Sequence, residues 1–258
     1  MDGIIIVDKP QEWTSFDVVA KIRNLSRVKK VGHSGTLDPM ATGVLPIFLG
    51  KATKSIQYFM EGDKGYIGEM VLGVKTDSGD ATGKTVMTND EMARQARHLS
   101  HPERDRGIRM PNEEEIKEVI NKYVGEIEQT PPMYSAVKVN GQRLYKLARK
   151  GIEIERKPRK ITIHEFRLTH YDAQDAIAPR ITFYVKCSKG TYIRQLVVDI
   201  GDDLGCGAHL SKLQRVYAHP FHISAALSMD AIITLAKIDK LATVVIPVED
   251  VLGEQRKV

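Results

Sequence analysis

Strand-like and helix-like stretches follow one another irregularly along these 258 residues, with no repeating βαβ unit. That irregularity favours an α+β fold on a mixed, largely antiparallel central sheet flanked by helices. The β-branched run Ile4 to Val7, closed by Asp8-Lys9-Pro10, reads as a buried strand entering a turn. Alternation predicts further strands over Tyr66–Leu72, Ile161–Tyr171, Ile181–Cys187 and Leu210–Tyr217, with strand character also in Val44–Leu49 and Met133–Val139. Helical spacing places Val18, Val19, Ile22 and Leu25 on one stripe behind Ser15 as N-cap. It also predicts helices over Lys51–Met60, Glu113–Tyr123, Arg143–Lys150, Tyr192–Leu204 and Asp230–Lys237. Thr76–Lys84 reads as a turn region and Asn140-Gly141 as a tight turn.

A hydrophobic content of 42% suffices to bury one large domain, or one domain with a small appendage. The net charge of +5 favours polyanionic partners through phosphate contacts. Cys187 and Cys206 form no CxxC pair, which argues against a disulfide scaffold and fits a reducing cytoplasm. No His/Cys/Asp/Glu cluster has metal-ligand spacing, so no metal is expected. The N-terminal apolar run is too short for a signal peptide, and no stretch approaches the ~20 apolar residues of a membrane span. A soluble, cytoplasmic protein is therefore expected, and a monomer is the working expectation. Residues from about 88 to 111 are rich in Arg, His, Asp and Glu and read as a charged surface insertion.

The most informative stretch is Gly32-His33-Ser34-Gly35-Thr36-Leu37-Asp38-Pro39-Met40-Ala41-Thr42-Gly43-Val44-Leu45-Pro46. Gly35 and Gly43 permit backbone shapes closed to other residues, and Pro39 stiffens the chain just after the carboxylate. An Asp presented rigidly at a sheet edge suits a nucleophile or a general base. The same residues also suit an ordinary Asp-Pro turn, and Asp38 alone does not separate the two readings.

This loop closely resembles the signature loop of the TruB family of pseudouridine synthases. Gly3 to Pro10 with Trp13-Thr14-Ser15 is similar to the family's opening, and Lys64-Gly65-Tyr66 to its tyrosine-bearing strand. Gln129 to Tyr145 resembles its RNA-gripping segment, and Cys187-Ser188-Lys189-Gly190-Thr191-Tyr192-Ile193-Arg194 its arginine motif. The resemblance implies that Asp38 is the catalytic carboxylate and that Arg194 pairs with it. A guanidinium fork fixes the direction of a carboxylate and favours its ionised form. By the same resemblance Tyr66 lies against the flipped uracil, and His33 fills the space the base leaves. The resemblance makes Tyr192 and Leu213 candidate pocket walls, and Lys9 and Lys64 candidates for phosphate or loop contacts.

The implied substrate is uridine 55 in the T-arm of transfer RNA. The reaction breaks C1′–N1, turns the base and joins C1′ to C5. It involves no redox change, so no cofactor is expected. A buried base must be extruded first, at a cost of a few kcal/mol. Grip on the RNA is expected from Arg27–Lys30, Lys146–Lys150 and Arg156–Lys160, with residues 130–160 as a closing thumb. The catalytic domain is expected over residues 1–238, followed by a short stub over 239–258 where relatives carry an RNA-binding domain. The alternative from another class is an RNA-binding or tRNA-folding module without necessary catalysis, and a guide-RNA-dependent relative is a third reading.

Overall fold

A computed structural model describes residues 1–88, 91, 109–139 and 141–255. The charged insertion expected at 88–111 and Asn140 of the tight turn lie largely or wholly outside the described residues. In chain order the elements are β1 (Gly3–Lys9), α1 (Ser15–Ser26), β2 (Val31–His33), β3 (Thr42–Leu49), α2 (Ile56–Met60), β4 (Lys64–Leu72), β5 (Val74–Thr76), β6 (Thr85–Thr88) and α3 (Glu113–Lys122). They continue with β7 (Gly125–Gln129), β8 (Lys138–Val139), β9 (Gln142–Arg143), α4 (Leu144–Ala148), β10 (Arg159–Asp172), β11 (Arg180–Cys187) and α5 (Ile193–Asp203). The last are β12 (Ala208–Ala218), β13 (Phe221–His222), β14 (Leu227–Ser228), α6 (Met229–Lys237) and α7 (Val248–Gln255). Strand pairing is mostly antiparallel, so the fold is α+β. Among the described residues no helix is long and apolar enough to cross a membrane.

The chain forms two compact units, Met1–Ile67 with Leu213–Val258, and Gly68–Lys212. In the first unit β1 pairs antiparallel with β3 from Gly3↔Leu49 to Lys9↔Gly43, and parallel with β14 at Val7↔Leu227. A strand with partners on both sides suits the β-branched run, and Ile4, Ile5, Ile6 and Val7 are all buried. Behind β3, Phe59 lies 5.2 Å from Phe48 and 5.6 Å from Phe221, ring centre to ring centre. The expected N-cap of α1 moves by one residue. Thr14 caps the helix in a reciprocal capping box with Asp17, which frees the Ser15 hydroxyl for another task.

Residues beyond 238 pack within the first unit. Ile246 exchanges both backbone hydrogen bonds with Ile4 at 2.8 Å, and Val251 of α7 is buried in one cluster with Ile4, Phe48 and Phe59. Of this segment Leu241 and Val251 are buried. The strand expected over Met133–Val139 shrinks to β8, because the chain turns after Pro131-Pro132 and the Ser135 amide bonds the Met133 carbonyl.

In the second unit β10 pairs antiparallel with β11 on one side and β7 on the other. Ile116, Val119 and Ile120 of α3, and Leu196, Val197 and Ile200 of α5, are the buried stripes of its helices. The basic stretch Arg156–Lys160 is partly neutralised, with Arg156 bound to Glu153 at 3.0 Å and Lys160 to Glu126 at 2.9 Å.

The C-terminal packing makes a direct prediction. Val251→Asp places an unpaired charge in the first unit's core and should lower the unfolding free energy by about 3 kcal/mol or more. Urea unfolding checks this through the midpoint, and a midpoint matching the parent chain would show that α7 is not part of that core.

Candidate active site

The loop from Gly32 to Pro46 runs from β2 into β3, inside the first unit. Its shape is imposed by buried groups that reach it from three other elements. Ser15, the first residue of α1, accepts from the Leu37 amide at 2.9 Å and donates to the Leu37 carbonyl at 3.2 Å through one hydroxyl. The Pro39 carbonyl accepts from the Glu12 amide at 2.8 Å and from Lys9 Nζ at 3.3 Å. From β12, Arg215 Nε donates to the Val44 carbonyl at 2.7 Å, and its Nη2 donates to the Gly35 carbonyl at 3.1 Å.

Gly43 is obligatory for packing as well as for conformation. Its φ is +102°, and a Cβ there would lie 2.2 Å from the Arg215 carbonyl. Asp38 sits half-buried at the middle of this loop, and its own carbonyl accepts from the Ala41 amide at 3.0 Å. The backbone on both sides of the carboxylate is therefore fixed from outside the loop.

Lys9 ends β1 and is 0% exposed. Its ammonium donates to the carbonyls of Trp13 at 2.6 Å, Pro10 at 2.8 Å and Pro39 at 3.3 Å. Burial pulls its pKa down to about 8, against the nearby Asp38 charge, which raises it, and with the Arg215 charge, which lowers it further. His33 is half-buried on β2, and the Gly35 amide donates to its Nδ1 at 3.2 Å. Burial and then the Arg215 guanidinium push its pKa below the ordinary histidine value, so the ring is neutral at physiological pH. Tyr66 of β4 and Leu213 of β12 are each 8% exposed. Lys64, also buried, donates from Nζ to the carbonyls of Met60 and Gly62. Both candidate lysines thus spend their ammonium groups on backbone carbonyls. A cavity of about 460 Å³ in this unit is lined by Lys9, Trp13, Thr42, Gln214, Ser228 and Asp230, among others.

Arg194 and Tyr192 belong to the second unit. Arg194 lies in the first turn of α5 and is 6% exposed. Its Nη1 donates to the Ser78 carbonyl at 3.0 Å and its Nη2 to the Tyr134 carbonyl at 2.9 Å, while Nε lies 3.4 Å from an Asp80 carboxylate oxygen. Asp80 is itself buried and accepts from the Ser78 hydroxyl and from both the amide and the hydroxyl of Thr82. Tyr192 is half-buried, and its backbone is gripped by the Gln129 amide, which accepts from its N–H at 2.8 Å and donates to its carbonyl at 3.0 Å. That double bond sets where α5 starts, and so where Arg194 points. A cavity of about 160 Å³ opens beside Arg194, Tyr134 and Arg156.

Sequence reasoning missed Ser15, Asp80, Gln129 and Arg215 as supports of these groups. In the sequence Ser15 reads as a cap, and Asp80 as one of several turn residues. Arg215 carried one usable signal, a cation inside the apolar alternation of Leu210–Tyr217, where a charged side chain needs buried partners.

Comparison with known proteins identifies the family. Residues 23–193 match the TruB family pseudouridylate synthase (N terminal domain), and residues 194–253 match the tRNA pseudouridylate synthase B C-terminal domain. A Francisella philomiragia protein named tRNA pseudouridine synthase B is 46% identical over 244 residues, which cover 95% of this chain and 74% of that protein. Its namesake from Clostridium kluyveri is 46% identical over 230 residues, 89% of this chain and 72% of that one. Among solved structures, a chain of a Cbf5-Nop10-Gar1 complex matches with a TM-score of 0.68 and 28% identity, over 96% of this chain and 60% of that chain. A chain of an H/ACA RNP bound to a substrate RNA containing 2′-deoxyuridine matches with a TM-score of 0.66 and 25% identity, over 96% and 59% respectively. With family matches running from residue 23 to residue 253, this chain belongs to the TruB family of pseudouridine synthases.

Proposed function

We propose that this pseudouridine synthase acts as a monomer in the cytoplasm on uridine 55 in the T-arm of transfer RNA, with Asp38 as its catalytic carboxylate. The observation that carries the reading is the braced loop around Asp38. A half-buried carboxylate whose neighbours Leu37 and Pro39 are both held by buried side chains keeps one direction while a substrate is turned beside it. Isomerisation of uridine needs such a group. The C1′–N1 bond breaks, the uracil rotates without leaving, and C1′ joins C5, so one well-directed carboxylate serves and water is kept out.

Arg194 is assigned as the guanidinium that acts on Asp38. Its own setting supports an orienting role, because two carbonyls and Asp80 fix the fork. Tyr66 and the neutral ring of His33 are assigned to the extruded base and to the gap it leaves, as flat side chains that replace lost stacking. Tyr192 and Leu213 are assigned to the pocket wall. Lys9 and Lys64 are assigned to loop support, since their donors already serve carbonyls. Cationic side chains of residues 130–160 are assigned to the RNA backbone, and affinity should fall steeply with salt.

Release of tritium from uracil C5 of a tRNA transcript measures turnover. Asp38→Asn should lower it by roughly 10³-fold or more, about 4 kcal/mol, with transcript binding kept. Turnover at the parent rate would show that another group does the chemistry. Arg194→Lys keeps the charge and loses the fork, so a fall of about 10- to 100-fold is expected. An unchanged rate would separate Arg194 from the carboxylate.

Lys9 gives a test on stability. Its folded pKa of about 8 lies below the ordinary 10.5, so the folded chain releases this proton first. Between those values the unfolded chain holds the extra proton, and the contribution of Lys9 to stability rises with pH. The difference in unfolding free energy between the parent and Lys9→Met should therefore grow from pH 8 to pH 10. A difference that stays flat would mean the buried amine titrates normally.

A further inference from the structure

We propose that Arg215 is a positioning residue for the reaction, the brace that sets the spacing between the two ends of the Asp38 loop. The inference rests on the reading of Asp38 as the catalytic carboxylate. Arg215 is 2% exposed, and its fork reaches Gly35 before Asp38 and Val44 after it. A planar guanidinium holds its donors at fixed separation, so two carbonyls bound by one fork cannot drift apart. The main chain of the same residue completes the clamp. Arg215 stands opposite Gly43 in the parallel pairing of β12 with β3, in contact too close for any side chain at Gly43. Ser15 and Lys9 hold the middle of the loop, and Arg215 alone of these three holds both ends.

The geometry explains why a cation serves here where an apolar residue would cost less to bury. Nε and Nη2 stabilise the carbonyls of Val44 and Gly35, which the loop turns inward. The same charge disfavours protonation of His33 and Lys9, so it also tunes two groups beside the loop. Lysine at this position offers a point charge on one atom and can serve one carbonyl well, leaving the other end of the loop free to shift. Such a shift moves the carboxylate, not the RNA-gripping surface.

The experiment compares the full chain with Arg215→Lys, Arg215→Met and Asp38→Asn, under single-turnover conditions, by tritium release from a tRNA transcript. Transcript binding is measured in parallel. Arg215→Lys should slow the single-turnover rate about 10- to 100-fold while binding stays within about 2-fold, and Arg215→Met should be slower still. A merely structural arginine would lower stability or binding and leave the rate of the folded, RNA-bound protein alone. Arg215→Lys at the parent rate, with Asp38→Asn inactive, overturns the brace and leaves the catalytic reading standing. Asp38→Asn at the parent rate overturns both. If neither Arg215 variant folds, Gly35→Ala takes their place, since a side chain at φ +148° strains the backbone of the residue whose carbonyl Nη2 binds. It should show the same slowed rate with binding kept, and a full rate overturns the proposal.

Discussion

Two cations buried among backbone carbonyls hold the first unit's loop in shape. Removing a charge from water costs several kcal/mol, and each cation stays only because peptide dipoles converge on it. Lys9 gathers three carbonyls and Arg215 two, and all five belong to the loop or to the turn that leads into α1. The loop and its cations are thus mutually dependent. Without the cations these carbonyls would each lose a donor, and without the carbonyls the charges could not be buried. The two differ in one respect. Arginine stays charged at every accessible pH, whereas burial brings Lys9 within reach of mildly alkaline solution.

Much of the fold was legible because local periodicity and tertiary burial agree. The run Ile4–Val7 is a strand between two partners, and the stripe of Ile116, Val119 and Ile120 is buried as its spacing predicts. Elements that were missed have patterns in which charge masks the period. In β7, Glu126 and Glu128 flank Ile127 on a strand of five residues, too short and too polar to announce itself. In α7 the buried residue is Val251, and nothing local says that it joins a strand 247 positions earlier.

The chemistry-bearing loop was legible for a different reason. Its glycines open backbone shapes and its prolines restrict them at particular positions, and Gly43 is one where the contact with Arg215 explains the choice. The supports were not legible, because each acts across long sequence separations. Ser15 reaches Leu37, Arg215 reaches Gly35, and Gln129 reaches Tyr192. A hydroxyl, a guanidinium or a primary amide carries no mark of which distant carbonyl it will serve. Sequence reading found the groups suited to react and overlooked those that aim them.

The first unit is discontinuous, and this bears on how the chain is made. β1 leaves the ribosome early, yet one of its flanking strands and the bridge at Ile246 are translated only after the whole second unit. At ordinary elongation speeds the stretch from β1 to β14 takes roughly 11–44 s. During it a strand as apolar as Ile4–Val7 waits with an open hydrogen-bonding edge, the kind of edge that invites pairing with another chain.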